Sequence, residues 1–282
     1  MNVPSQQLKI SIVGLGLIGG SLAKAFKSCG HTVFGIDINE EVIASALHCG
    51  AIDKGSVNAD ILSDADIIFV ALYPADTIDF IKNNCSYIKK DAIVIDCCGI
   101  KELICNEINK VALTNGFIFI GGHPMAGTEK CGFEASTVSL FENSSFILTP
   151  QEDTPQSAID TASSIIMQAG FARIVISTPQ NHDKMIAFTS QLPHVIAAAY
   201  VKSPVCPAHN GFSAGSFRDV SRVAHLNAPM WAQLFLDNKE QLISEIDIFT
   251  SNINELRSAM ESGDFDQLCG ILQKAREIKD GV

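Results

Sequence analysis

The segment Lys9-Ile-Ser-Ile-Val-Gly14-Leu-Gly16-Leu-Ile-Gly19-Gly20 carries a glycine pattern that specifies its own local structure. A run of apolar residues, typical of a buried strand, leads into glycines spaced as G-x-G-x-x-G, and a helical pattern follows. Strand, glycine-rich turn and helix in this order are the fingerprint of a dinucleotide-binding unit. Gly14 permits the tight turn, Gly16 lets the backbone approach a pyrophosphate, and Gly19 allows the helix to pack closely on the strand.

The start of the predicted helix suits a phosphate group. The amides in its first turn, at Leu17 and Ile18, have no partner within the helix, and with the helix dipole they favour negative charge. Asp37 ends the second predicted strand, where a carboxylate can accept hydrogen bonds from the adenosine ribose hydroxyls. The same carboxylate would repel the 2′-phosphate of NADP, and Ile38 and Asn39 supply no compensating arginine. We therefore expect NAD as the cofactor.

Up to about residue 178 the sequence alternates short apolar runs with helical periodicity. Several runs are apolar on both faces, which is typical of parallel strands covered by helices on each side. We expect an α/β fold with an N-terminal, Rossmann-type doubly wound sheet. The predicted strands are Lys9–Val13, Thr32–Ile36, Ile67–Ala71, Ala92–Ile95, Phe117–Ile120, Ser145–Leu148 and Ala172–Ile176.

Beyond Thr178 the pattern becomes helical. Helices are predicted over 179–202, with a kink at Pro193, over 230–260 and over 264–279. Apolar residues at helical intervals in the second of these suit burial against a partner helix.

Two domains follow from this change of pattern. We predict a dinucleotide-binding domain over 1–178 and an all-helical substrate-binding and dimerisation domain over 179–282, through which the chain forms a homodimer.

The composition narrows the choice of partner. With 282 residues, 47% of them hydrophobic, the chain is long and apolar enough to form two domains, each with its own hydrophobic core. A net charge of −11 argues against nucleic acid or an anionic membrane, and an anionic substrate would need a local cationic pocket. Nine irregularly spaced cysteines predict reduced thiols in the cytoplasm and no metal site. We expect no signal peptide, and no apolar run approaches the ~20 residues that cross a bilayer.

A second glycine-rich segment, which reads GGHPMAGTEKCG, follows the predicted strand Phe117–Ile120. His123 therefore lies near the C-terminal edge of the sheet, where ligands bind in doubly wound folds. A histidine there can remove a hydroxyl proton during hydride transfer, because its pKa lies near neutral pH. A histidine that only orders the loop fits the same position.

Four motifs together resemble the prephenate and arogenate dehydrogenases of tyrosine biosynthesis: GLGLIGGSLA, GGHPMAGTEKCG, SQLPH, and FRDVSRVA followed by PMW. The resemblance implies NAD-dependent oxidative decarboxylation, which for prephenate gives 4-hydroxyphenylpyruvate. Hydride leaves the ring carbon that carries the hydroxyl, His123 takes the hydroxyl proton, and the ring carboxylate departs as CO2. The motifs leave open whether the substrate carries the keto side chain of prephenate or the amino side chain of arogenate.

The resemblance also implies which residues bind the substrate. Arg222 matches an arginine that pairs with a substrate carboxylate, His194 matches a histidine near the substrate side chain, and Glu129 matches an acidic residue at the pocket mouth. Because the substrate is a dianion and the protein is acidic, such an arginine is chemically necessary. His182 and Asp183 match a family pair at the start of the long helix, and we assign them to structure.

One position departs from the family pattern. Many members carry a serine that assists the histidine and the cofactor, and here Gly99 takes its place, so that water or backbone would have to supply that hydrogen bond. Two other interpretations stay open: a cofactor-binding sensor without catalysis, and a 3-hydroxyacid dehydrogenase that uses Lys184. We expect neither a fused chorismate mutase nor a C-terminal ACT domain.

Overall fold

A computed structural model of the chain describes residues 7–128 and 130–281. The chain divides into two compact units, the first formed by Met1–Ile186 and His225–Asp237, the second by Ala187–Ala224 and Asn238–Val282. The first unit holds the sheet, and the second is helical. The functional boundary at residue 178 stays a prediction.

An eight-stranded sheet forms the centre of the first unit. Its strands are β1 (Lys9–Val13), β2 (Thr32–Ile36), β3 (Lys54–Ser56), β4 (Ile67–Val70), β5 (Ile93–Asp96), β6 (Ile118–Pro124), β7 (Ser145–Thr149) and β8 (Arg173–Ile176). They lie in the order β3-β2-β1-β4-β5-β6-β7-β8. All neighbours are parallel except β6 and β7, which run antiparallel. The α/β class predicted from the sequence is confirmed.

The helices cover the sheet and form the second unit. They are α1 (Leu17–Ser28), α2 (Glu40–His48), α3 (Pro74–Asn84), α4 (Glu102–Asn115), α5 (Gln156–Gln168), α6 (Pro179–Ile186), α7 (Leu192–Val201), α8 (Gly215–Ser221), α9 (Ala228–Asp237), α10 (Lys239–Ser262) and α11 (Phe265–Asp280). No helix of the described residues is long and apolar enough to span a membrane.

Burial on both faces explains the continuous apolar strands. In β4, Ile67 and Phe69 join one hydrophobic cluster, with residues of α1, α2 and α5. The alternate residues Ile68 and Val70 join a second cluster, with residues of α3 and α4. Because successive side chains of a strand point to opposite faces, the sheet has a core on each side.

Two helix predictions are corrected in detail. The helix predicted over 179–202 contains a π-helical turn at Ala187–Gln191 before α7 begins. This turn precedes Pro193, which has no N–H to continue the α-helical hydrogen bonds. The helix predicted over 230–260 is two helices that meet at Asn238.

Strand β3 was missed by the sequence analysis. Its three residues, Lys54-Gly55-Ser56, carry no apolar pattern, and they form a strand only by pairing with Phe34–Ile36 of β2. At this edge of the sheet the partner strand, and not local propensity, selects the conformation.

Candidate active site

The turn between β1 and α1 is built so that only glycine fits at two positions. Gly14 has a positive φ of 84°, and a Cβ there would lie 2.6 Å from the carbonyl oxygen of Ala71. A Cβ on Gly19 would lie 1.8 Å from the carbonyl oxygen of Gly14. A side chain at Gly19 would separate the helix from the strand, so this glycine brings the first turn of α1 close to the C-terminal edge of the sheet.

The same turn leaves room for a ligand and places a carboxylate next to it. An added Cβ at Gly16 meets no atom within 4 Å, and Gly16, Leu17 and Ile18 are all half-buried. Asp37 Oδ2 accepts a hydrogen bond from the Leu15 amide at 2.8 Å, and Oδ1 accepts one from the Asn39 amide at 3.0 Å. The open glycine, the helix start and the held carboxylate fit the pyrophosphate and ribose of a dinucleotide.

His123 lies inside β6, not after it as the predicted end at Ile120 implied. Beyond Ile120 the strand leaves β5 and pairs antiparallel with β7, where His123 lies opposite Ile147. Gly122, directly before His123, leaves no room for a side chain, because a Cβ there would lie 2.4 Å from the carbonyl oxygen of Asp96. The strand thereby holds the His123 backbone in a fixed position at the sheet edge.

A chain of hydrogen bonds starts at the His123 ring. His123 Nδ1 lies 2.8 Å from His182 Nε2, and His182 Nδ1 lies 2.6 Å from Asp183 Oδ1. Asp183 also accepts hydrogen bonds from the backbone amides of Lys101, at 2.8 Å, and Glu102, at 2.9 Å, where α4 begins. The assignment of His182 and Asp183 to structure was therefore incomplete, because both are connected to the candidate base. The sequence carried a signal for this connection: two adjacent titratable residues near the start of the helix that follows the last strand.

Burial keeps both histidine rings neutral. It lowers the pKa of His123 well below 6.5, and the neighbouring His182 ring and the Lys101 ammonium lower it further. Burial also lowers the pKa of His182, although the hydrogen bond to Asp183 opposes the shift. A ring with a lowered pKa is unprotonated at neutral pH, which is the state that a general base needs.

A buried ion pair lies close to the strand that carries His123. The Lys101 ammonium contacts the Asp96 carboxylate, and both side chains are fully buried. Burial alone would lower the pKa of Lys101, but the Asp96 charge raises it above its usual value. Asp96 also accepts hydrogen bonds from the amides of Cys98, at 2.9 Å, and Gly122, at 3.0 Å. The pair thus ties the end of β5 to the strand that carries His123.

Gly99 faces the other nitrogen of the His123 ring. A Cβ on Gly99 would lie 3.9 Å from His123 Nε2 and 3.6 Å from Leu234 Cδ2, which are ordinary contact distances. A small side chain therefore fits at this position without displacing a neighbour.

We expect Gly99→Ser to fold normally and to raise kcat by about two- to tenfold, the value of one added hydrogen bond near His123. Steady-state kinetics measure the change in kcat, and thermal unfolding shows whether the variant folds normally. A fall in kcat with an unchanged melting temperature would show that the hydroxyl competes with the substrate for His123 and does not assist it.

The second unit brings together two of the predicted substrate-binding residues. His194, in the first turn of α7, donates from Nδ1 to the Ser190 carbonyl oxygen at 2.8 Å, so its Nε2 carries the lone pair. Burial lowers the pKa of His194, the Ser190 hydrogen bond opposes this, and the charge of Arg222 lowers it further. The Arg222 guanidinium is thus close enough for its charge to affect the pKa of the His194 ring. Glu129 lies outside the described residues.

Two further sequence expectations concern metals and Lys184. No group of three or more histidine, cysteine or acidic side chains in the described part of the chain could hold a metal ion. Lys184 lies on α6 with its side chain exposed.

Two family profiles match the chain. The family described as "Prephenate dehydrogenase, nucleotide-binding domain" matches residues 22–176. The family described as "Prephenate dehydrogenase, dimerization domain" matches residues 178–274. Together they confirm the order predicted from the sequence, a nucleotide-binding domain followed by a helical dimerisation domain.

Individual proteins are similar over nearly the whole chain. Prephenate dehydrogenase of Bacillus subtilis strain 168 is 31% identical, over 97% of this chain and 76% of that protein. The crystal structure of prephenate dehydrogenase from A. aeolicus, in complex with hydroxyphenyl propionate and NAD+, is 29% identical, with a TM-score of 0.87 and 99% of each chain covered. The crystal structure of Synechocystis arogenate dehydrogenase is 26% identical, with a TM-score of 0.86, over 97% of this chain and 99% of that chain.

Proposed function

The chain belongs to the prephenate dehydrogenase family, and we propose that it catalyses the NAD-dependent oxidative decarboxylation of prephenate to 4-hydroxyphenylpyruvate. The observation that carries the proposal is the state of His123. Its ring lies near the C-terminal edge of the sheet that carries the nucleotide turn, and burial lowers its pKa, so the ring is neutral. A neutral imidazole is the base that oxidation of a hydroxyl requires.

The protein residues supply the proton chemistry, and bound NAD supplies the acceptor for the hydride. His123 takes the hydroxyl proton of the substrate on Nε2 as the ring carbon is oxidised. The C–C bond to the ring carboxylate then breaks, CO2 leaves, and the bonding electrons pass through the ring to the new carbonyl oxygen. That oxygen becomes a phenolate and recovers the proton from His123. The dianion and NAD+ thus give a monoanion, CO2 and NADH, with no net proton released.

Arg222 and His194 bind the substrate in this proposal. The guanidinium of Arg222 is exposed and suited to a carboxylate, with which it can form two parallel hydrogen bonds. We assign His194 to the substrate side chain on the family match, and the Ser190 hydrogen bond on Nδ1 orients its ring. We assign Glu129 to the mouth of the pocket. Arg222 supplies the local cation that a dianionic substrate needs in a protein with a net charge of −11.

The cofactor site comprises Gly14, Gly16, Leu17, Ile18 and Gly19, with Asp37 at the ribose. Two glycines that admit no Cβ support the pyrophosphate position. The fixed Asp37 carboxylate supports the preference for NAD, because it would repel a 2′-phosphate.

We expect Asp37→Ala to lower the ratio of kcat/KM for NAD to that for NADP by about 10- to 100-fold, because it removes the charged acceptor to which the ribose hydroxyls donate. Kinetics with both cofactors measure the ratio. Asp79→Ala, at an exposed position on α3, is the control. An unchanged ratio in a variant that still folds would place the ribose contact elsewhere.

The first experiment offers prephenate and arogenate separately, each with NAD and with NADP, and follows NADH or NADPH. We expect turnover of prephenate with NAD. Turnover of arogenate alone would keep the mechanism and reassign the substrate, an alternative that the similarity to an arogenate dehydrogenase favours. If the protein bound NAD but turned over neither substrate, we would interpret it as a cofactor-binding sensor without catalysis.

We further propose a homodimer, formed through the C-terminal helices, in the cytoplasm. The dimerisation profile covers these helices. Large apolar side chains are exposed along α10 and α11, a pattern typical of a surface that a partner covers: Ile248, Ile253, Met260, Leu272 and Ile278. All nine cysteines are free thiols, which suits a reducing compartment. Neither nucleic acid nor a membrane is a proposed partner.

A further inference from the structure

We propose that His182 and Asp183 are positioning residues that fix the tautomer of His123, so that the neutral ring carries its lone pair on Nε2. The inference rests on the proposed role of His123 as the base and names the residues that make it competent.

The chain of hydrogen bonds has one fixed end. Asp183 accepts two backbone N–H groups where α4 begins, from Lys101 at 2.8 Å and Glu102 at 2.9 Å. These bonds hold the carboxylate in one orientation. A carboxylate offers only acceptors, so its contact with His182 requires that His182 donates.

The orientation of the remaining protons follows step by step. His182 Nδ1, at 2.6 Å from Asp183 Oδ1, carries the proton of that ring, and its Nε2 carries the lone pair. His123 Nδ1, at 2.8 Å from this Nε2, must then donate. In the neutral His123 ring the lone pair is left on Nε2. The alternative tautomer would set two lone pairs against each other.

The selected nitrogen faces the reaction side. Nε2 is the ring atom of His123 that a side chain at position 99 would meet, at 3.9 Å. Gly99 follows β5 at the C-terminal edge of the sheet, where substrates bind in this fold class. The fixed tautomer therefore presents an acceptor, and not an N–H, to the substrate hydroxyl.

The same chain stabilises the proton while His123 holds it. His182 is 1% exposed and Asp183 is 2% exposed, so both groups are shielded from solvent. The imidazolium of His123 keeps its Nδ1 hydrogen bond to His182, whose ring is polarised by Asp183. The proton on Nε2 can then return to the phenolate oxygen.

The test combines nitrogen NMR of ¹⁵N-histidine-labelled protein with kinetics. In the unmodified protein without substrate we expect the His123 resonance pattern of a neutral ring protonated on Nδ1, assigned by its loss in His123→Asn. Protonation on Nε2 would overturn the proposal. This readout needs no turnover, so it remains decisive even if the chain proves inactive on prephenate, the result that would end the proposed function instead.

Asp183→Asn should change the tautomer of His123 and lower kcat by about 10³-fold or more, with the substrate KM nearly unchanged, because an amide can donate where the carboxylate could only accept. Asp264→Asn is the matched control, since Asp264 caps α11 by accepting from the Gln267 amide at 2.9 Å. If Asp183→Asn does not fold, His182→Leu breaks the same chain at its middle and should give the same loss of kcat. A folded variant of either kind with normal kcat would overturn the proposal.

Discussion

His123→Asn is expected to lower kcat by about 10²- to 10⁴-fold while the Kd for NAD stays nearly unchanged. Asparagine can retain a hydrogen bond to His182, but its amide cannot hold the proton of the substrate hydroxyl. The cofactor turn, at Gly14 to Gly19, is not touched by the substitution. Steady-state NADH formation and a titration of NAD binding measure the two effects separately.

A matched control shows that the loss belongs to this ring. His48→Asn makes the same change at an exposed position in the last turn of α2 and should leave kcat unchanged. If His123→Asn kept most of the activity, His123 would only order its loop, and another group would have to accept the proton.

Arg222→Ala is expected to raise the substrate KM and to lower kcat/KM by roughly 10- to 150-fold, since a hydrogen bond to a charged group contributes about 1.5–3 kcal/mol. We expect the guanidinium to bind a substrate carboxylate and to take no part in proton transfer, so kcat should change less than KM. The charge of Arg222 also lowers the pKa of His194, and its loss should raise that pKa. Kinetics with prephenate over a range of pH measure both consequences.

Arg257→Ala is the control for Arg222, because Arg257 is an exposed arginine of the same unit that pairs with Glu261 on α10. Its kinetics should match those of the unmodified protein. An unchanged KM for Arg222→Ala would refute the carboxylate role and move the search for the cation to other residues of the second unit.

Several features were readable from the sequence because each depends on neighbours within one short segment. Gly14 and Gly19 are required by a turn whose strand and helix are adjacent in sequence, and the structure shows the contacts that exclude a Cβ. The parallel strands were recognised because burial on both faces demands apolar residues at every position, as in β4. His123 was found because a distinctive motif surrounds it. In all these cases the physical constraint acts over a few residues.

The tertiary structure alone decided what His123 contacts. His182 lies 59 positions away from it along the chain, and the amides that hold Asp183 lie 81 and 82 positions away. No local pattern records such distances, because a hydrogen bond depends on where folding brings two side chains. The sequence therefore determined the nucleotide turn and the candidate base, and packing of α6 against the start of α4 decided which nitrogen of that base contacts His182.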